Sequence, residues 1–422
     1  MQNSLPELHR VAERRFTWAP WAVVAFAALL PTVGYAEAVL VFTAVATVVI
    51  LGLQRFRHGT SLLSREAWAL STALFFCYWL PEFFSAFDAL NEVRAWREAL
   101  VDLRYLPFLW LVAIAASTLR GRAVVWLGLG LLALLWTIDG SVQIVSGHSL
   151  GGDNSSDRLS GIFGPDNLKL GLVLAALSPF ALELAVRHFG VAGWALAALA
   201  IGTVVLLAGT RAAWLMLAIV LVLHGWRCFG RRRVLVLVLV GFALVSALAV
   251  GFSTQFQGRI ERSAAVLSGD RAGVNEALSY RLNIWRAAVR MSLDHPVNGV
   301  GVRGFRDAYP QYAQADDPWL SKGQPGALHA HQMVLEVLSE TGAIGLLLWL
   351  MGAALALRGW RWASAAARER AAVPGLALLA MVFPLNTHLA FYSTFWGGMF
   401  LLMMALFAGA LFGHDPDDVS LA

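Results

Sequence analysis

The chain reads as all-α: a polytopic integral membrane protein with about twelve transmembrane helices and one helical loop subdomain. Three observations predict this. Of 422 residues, 58% are hydrophobic and only 14% charged, whereas a soluble domain carries about a quarter charged residues. Mean hydropathy is +0.64. The apolar runs recur along the chain at the length of a bilayer span, about 20 residues each.

Taken in order, the first two spans share the run Trp18–Leu53, broken near Pro31–Tyr35. The third is Ala67–Phe87, the fourth Tyr105–Leu119 and the fifth Val124–Val145. The sixth is Leu168–Val186, the seventh Val191–Gly209, the eighth Ala212–Trp226 and the ninth Val234–Phe252. After a long polar stretch come the tenth, Gln332–Leu357, the eleventh, Val373–Leu389, and the twelfth, Thr394–Phe412.

The connectors set the orientation. Arg10, Arg14 and Arg15 precede the first span; Arg55, Arg57 and Arg65 follow the second, and Arg120 and Arg122 the fourth. Arg187 follows the sixth, Arg227 and Arg231 to Arg233 the eighth, and Arg358, Arg361, Arg368 and Arg370 the tenth. Basic residues mark cytoplasmic loops, so both termini are expected in the cytoplasm. The predicted order is a cytoplasmic segment 1–17, spans one to nine within 18–252 and a helical loop 253–331 on the far side. Spans ten to twelve follow within 332–413, and then a cytoplasmic tail 414–422. The loop's own arginines do not argue against this, because long loops translocate largely regardless of charge.

Residues 1–17 are polar and lack the pattern of a cleaved signal. Cys77 and Cys228 cannot build a disulfide framework and read as bystanders. The basic residues are nearly all arginine, with Lys169 and Lys322 the only lysines. A planar guanidinium suits phosphate, though GC-rich codon usage and membrane anchoring explain arginine excess equally well. In the far-side loop, Leu278, Leu282, Trp285 and Val289 recur at helical spacing, Asp294-His295-Pro296 ends that helix, and VNGVGVRGF forms a glycine-rich turn.

With this topology four stretches meet on the far face. Arg211 stands at the mouth of the seventh and eighth spans, in GTRAAWL. The loop helix carries Arg281, Arg286 and Arg290. HAHQ places His329 and His331 at the mouth of the tenth span, and SSDRLSGIFGPDNLKLG brings Arg158, Asp166 and Lys169. Arg211 either snorkels to headgroups or waits for a phosphate. His331, at the positive end of a helix and near arginines, is expected to be neutral, the form a general base needs. Its bland alternative is a capping histidine with one backbone hydrogen bond. His329 and His331 as metal ligands lack a companion carboxylate or cysteine at recognised spacing. His295, beside a proline, reads as structural.

Arginines with one neutral histidine suit transfer from a pyrophosphate-linked donor. The arginines hold the diphosphate and stabilise its growing charge. The histidine takes a proton from an acceptor hydroxyl. The spans would hold a long lipid tail.

These residues carry a family resemblance. HAHQMVLEVLSETGAIGLLL resembles the His-x-x-x-Leu…Glu-x-Gly-x-x-Gly signature of the O-antigen ligase and polymerase superfamily. RLNIWRAAVRMSLDHPVNGVGVRGF, GTRAAWL and SGIFGPDNLKLG resemble three further elements of it, in the family's order, so the likeness runs from Arg158 to Leu350. What the resemblance implies is a GT-C-like glycosyltransferase of the bacterial inner membrane, working on its periplasmic face. It would move O-antigen polysaccharide from undecaprenyl pyrophosphate to a sugar hydroxyl of lipid A–core. Carried over by position, Arg211 and Arg281 would bind the diphosphate and His331 would be catalytic. Arg158, Lys169, Trp285, Arg286 and His329 are auxiliary candidates. Gln332 stands where the family often has Asn. Membrane lipids are expected partners; nucleic acid, a cofactor and a metal are not. A single base without a carboxylate nucleophile suggests an inverting displacement.

Four other functions compete. A polymerase of the repeat units and a ligase acting on protein serines belong to the same superfamily. A transporter or flippase would concentrate charge near mid-membrane, where only Glu183 and Asp139 are candidates. A membrane scaffold would not need a one-sided cluster of charge.

Overall fold

A computed structural model describes residues 16–58, 63–153, 158–165, 167–233, 280–321, 326–383 and 389–413, with a few isolated positions between 236 and 278. The described residues are almost entirely helical, and seven of their helices are long and apolar enough to cross a membrane. The fold is an all-α polytopic membrane bundle, as the composition predicts.

Helices α1 (Ala19–Ala28) and α2 (Val33–His58) are separated by a turn at residues 29–32, as expected around Pro31. Helix α3 (Arg65–Ser85) starts on Ser64, whose hydroxyl accepts the Ala67 N–H. A short helix α4 (Glu92–Asp102) then leads into α5 (Tyr105–Ser117). Helix α4 was not expected: its charged residues hide it from hydropathy. Its cap is Asn91, whose side chain accepts the Arg94 N–H.

Helix α6 (Leu119–Ser146) returns across the bundle and stops at Gly147, whose φ of 77° turns the chain out of the helix. A two-residue hairpin (β1, His148–Ser149; β2, Gly152–Asp153) follows. Helix α7 (Lys169–Leu207) holds the expected sixth and seventh spans, divided at Gly190, where φ is 61°. Helix α8 (Arg211–Phe229) is the eighth span. The ninth, Val234–Phe252, falls almost wholly outside the described residues, as do Asp166 and the tail 414–422. Helices α9 (Arg281–Asp294), α10 (Phe305–Tyr312) and α11 (Pro318–Ser321) form the loop subdomain. Helices α12 (Met333–Trp362), α13 (Ala365–Val382) and α14 (Trp396–Leu411) complete the bundle. Helix α14 is buried along its whole length, packed on α5, α13 and α3.

The loop helix is present where the spacing predicts it, and its packing adds the face it buries. Its buried face is Ile284, Ala287, Ala288 and Met291, not the stripe through Leu282, Trp285 and Val289. Two alanines let α9 approach closely, and Ile284 and Met291 share a small core with Phe305, Tyr309 and Ala330. Val289 and Leu293 are left exposed. Leu282 and Trp285 are half-buried at the edge of this face.

Two glycine-bearing stretches interlock to hold this subdomain on the bundle. Helix α12 kinks at Gly342, with φ 62° and ψ −159°. The kink frees backbone groups, and residues 296–301 supply their partners. Val300 and Gly301 N–H donate to the Ser339 and Glu340 carbonyls at 2.8 and 3.0 Å; Ala343 N–H donates to Pro296 O at 2.9 Å. A Cβ on Gly342 would collide with the Val297 carbonyl, and one on Gly299 with the backbone of Glu340. The backbone at Gly342 alone would cost any other residue about 1–3 kcal/mol. Gly342→Ala is therefore expected to release the 296–303 segment, seen as faster limited proteolysis there and a lower Tm. An unchanged digestion pattern would show that the interlock tolerates a side chain.

Candidate active site

The loop between α6 and α7 is pinned to the end of α6 by two buried polar side chains. Asp139 Oδ1 accepts the Leu150 N–H at 2.8 Å. Gln143 Oε1 accepts the N–H groups of Ser160 and Gly161 at 3.1 and 2.9 Å. Asp139 thus holds the loop through one carboxylate oxygen. Phe163 lies edge-on to Trp136 and Phe395 at 5.5 and 6.0 Å, and the Asn167 amide donates to the Phe163 carbonyl. These contacts deliver Arg158 and Lys169 to the same end of the bundle. Lys169 Nζ sits 4.4 Å from the centre of the Phe395 ring, a cation–π contact.

Arg211 is the first residue of α8, exposed, and follows a turn made by Gly209 with φ 72°. Arg281 is the first residue of α9. These two and Arg158 converge. Burial pushes the Arg281 guanidinium down to about 10, and the charges of Arg211 and Arg158 push it the same way. Three cations from three separate elements thus face one another, two of them at helix N-termini whose dipoles add positive potential. An arrangement of this kind suits an anion, and Arg281 still carries its charge at neutral pH.

His331 precedes α12; the helix itself begins at Met333, with Gln332 as cap. The Gln332 side chain accepts the Leu335 N–H at 2.6 Å, which gives this residue a capping role. His331 has φ 52°, in the left-handed region. Its ring lies 3.8 Å, centre to centre, from that of buried His329. Among the described residues only Tyr280, Arg303 and His331 are non-glycine residues with positive φ. Tyr280 immediately precedes Arg281. Strain of this kind persists where the surroundings over-determine the backbone, and it gathers at functional sites.

Two carboxylates missed as individuals in the sequence hold α12 in place. Glu336 Oε1 accepts the Phe391 N–H at 2.6 Å, and Glu340 Oε2 accepts the Arg303 N–H at 2.9 Å. Both are fully buried. The first ties α12 to the segment that carries Phe395; the second ties it to the loop subdomain. The signal for Glu340 was present in the motif Glu-Thr-Gly-Ala-Ile-Gly, but as a spacing without a role, and Glu336 lies outside that motif. Trp285 turns its buried indole N–H to no acceptor among the described residues. Arg286 is exposed on α9, and Arg290 donates to the Tyr312 carbonyl at 3.1 Å, a structural contact. His295 caps the end of α9, its N–H donating to the Met291 carbonyl.

Among the described residues, one trio has side-chain atoms spaced for a metal: Glu183, His224 and Cys228. It lies far from the arginines. Glu183 and Arg211 stand toward opposite ends of the helix pair, and the 16-residue run from Arg211 to Arg227 spans about 24 Å. The trio is a helix tether. Trp194 Nε1 donates to His224 Nδ1, so His224 Nε2 carries the proton and donates to Glu183. Arg187 and Arg227 complete the carboxylate's partners. A cation there would meet two guanidinium charges.

The described residues thus form an α-helical membrane bundle that brings Arg158, Arg211 and Arg281 together and sets His331 in the left-handed region before α12. The family model described as O-antigen ligase matches residues 196–350, which contain Arg211, Arg281 and His331. Over those residues the chain is similar to the O-antigen ligase family. No curated protein matches the chain.

Proposed function

We propose that this protein is an O-antigen ligase, transferring O-antigen polysaccharide from undecaprenyl pyrophosphate to a sugar hydroxyl of lipid A–core. The reaction takes place at the periplasmic face of the inner membrane, with both termini in the cytoplasm. The convergence of Arg158, Arg211 and Arg281 carries this reading. A diphosphate brings negative charge suited to three facing guanidinium groups, and bidentate N–H···O pairing would fix its orientation.

In the proposed step the acceptor oxygen forms its bond to the donor's anomeric carbon as the bond to the diphosphate breaks. His331 takes the hydroxyl proton. Arg211 and Arg281 stabilise the charge that accumulates on the departing diphosphate, so the arginines fill the role a divalent cation has elsewhere. One base without a carboxylate nucleophile gives a single inverting displacement. His329 packs on His331 and orients it; Lys169 and Arg158 extend the cationic rim, and Trp285 and Arg286 border it from α9.

Lipopolysaccharide from a strain lacking the gene, resolved on a gel, tests the assignment. The expected result is loss of all capped chains, with polymer accumulating on the lipid carrier. Core bearing a single repeat unit would instead make the protein a polymerase of the same superfamily. Unchanged lipopolysaccharide would exclude both.

A further inference from the structure

Two buried polar atoms stand beside the arginines that meet in the candidate site. One is the Thr210 hydroxyl oxygen and the other the Trp285 indole nitrogen; neither has a hydrogen-bond partner among the described residues. Buried polar atoms without a partner are costly and few in native structures, so each has to have a use.

Thr210 precedes Arg211 and is the N-cap of α8. A threonine there ordinarily accepts an N–H from the first turn of its helix. The hydroxyls of Ser64, Thr118 and Ser364 do so at the starts of α3, α6 and α13, at 3.2, 3.1 and 3.1 Å. The Thr210 hydroxyl does not, although its carbonyl accepts the Ala213 N–H at 2.9 Å. Trp285 follows Arg281 by four residues, so the two share one flank of α9. Helical side chains lean toward the N-terminus, which carries the indole back over the turn that begins with Arg281.

The charges at this place decide what the two atoms can serve. Arg158 and Arg211 act electrostatically on Arg281, so three guanidinium groups define the centre. Guanidinium groups and an indole N–H donate and do not accept, and a hydroxyl beside them is free to donate as well. A lining of donors calls for a ligand rich in acceptor oxygens. A diphosphate carries such oxygens on two phosphorus atoms, and the donors come from two helix starts. We infer that the Thr210 hydroxyl and the Trp285 indole N–H donate hydrogen bonds to the diphosphate of the donor substrate, Thr210 alongside Arg211 and Trp285 alongside Arg281. The inference rests on the diphosphate reading of the centre given above. Bonds made only to a ligand add nothing to folding without it, so their loss can be measured apart from stability.

Calorimetric titration of the purified full chain with inorganic pyrophosphate tests this in Thr210→Val, Thr210→Ser and Trp285→Phe. Valine keeps the shape of threonine and phenylalanine keeps an aromatic ring, while each removes one donor. Both are expected to bind pyrophosphate about tenfold more weakly, the contribution of one hydrogen bond to a charged group. Thr210→Ser keeps the hydroxyl and should bind as the parent does. Without pyrophosphate, Thr210→Val should melt no lower than the parent. Trp285→Phe also loses ring area, so its Tm is read separately from its affinity. Parent affinity in either Thr210→Val or Trp285→Phe would overturn the inference for that donor and leave the diphosphate reading standing. A lower Tm for Thr210→Val with unchanged affinity would assign the hydroxyl to the helix cap instead. Absence of pyrophosphate binding by the parent would remove the diphosphate reading and this inference together.

Discussion

Replacing His331 with alanine is expected to abolish transfer while leaving a folded, membrane-inserted protein. General-base assistance contributes about 10²–10⁴-fold, and no second base stands in the same position. Because His331 has φ 52°, any L-residue there bears left-handed strain of about 1–2 kcal/mol, and alanine bears it without the ring contact to His329. His331→Asn separates the two effects. Asparagine tolerates the left-handed region and keeps a polar side chain, but it cannot accept the proton. Both variants should be inactive with purified lipid-linked donor and lipid A–core, and only the alanine variant should lose Tm. His329→Ala should be milder, since that ring packs against His331 without facing the acceptor in the proposed role. Transfer by His331→Asn at the parent's rate would remove the histidine from the chemistry.

Arg281→Lys and Arg211→Lys should both be severely impaired although each keeps its charge. Lysine replaces a planar fork with a point charge and loses bidentate pairing to phosphate oxygens. By analogy with deleting one preorganised donor to a developing anion, the expected loss is about 2–4 kcal/mol of transition-state stabilisation. It should appear in single-turnover rates at saturating lipid A–core, with acceptor affinity nearly unchanged. A binding readout accompanies it. Inorganic pyrophosphate should raise the Tm of the parent, by relieving the repulsion that Arg211 and Arg158 impose on Arg281, and should raise that of Arg281→Gln much less. Normal turnover of the lysine variants, or weakened acceptor binding alone, would make these residues interfacial anchors and move the donor site elsewhere.

The membrane spans were legible because hydropathy reports a one-dimensional quantity, the length of chain that tolerates a bilayer. Each expected span has a helix at its place, the ninth excepted, which the described residues hardly reach. Helix α4 was invisible to the same measure, because its charged residues mask a helix that lies before a span. The buried face of α9 was not legible for a related reason. Hydrophobicity does not say whether an apolar side chain faces protein or a membrane surface, and here alanines took the protein side. Glu183 looked like an isolated mid-span charge; three partners up to 44 residues away in sequence make it a tether.

The sequence by itself determined the fold class, the identity of the arginines and histidines, and their order along the chain, since composition and motif spacing are local properties. Tertiary structure decided which of them meet. Arg158, Arg211 and Arg281 share one electrostatic environment only because a pinned loop and two helix starts end at the same place. Gly342 is indispensable in the proposed architecture because the Val297 carbonyl, 45 positions earlier in the chain, lies where its side chain would be. Charge repulsion and steric exclusion depend on distances through space, and no pattern along the chain encodes those until the helices have packed.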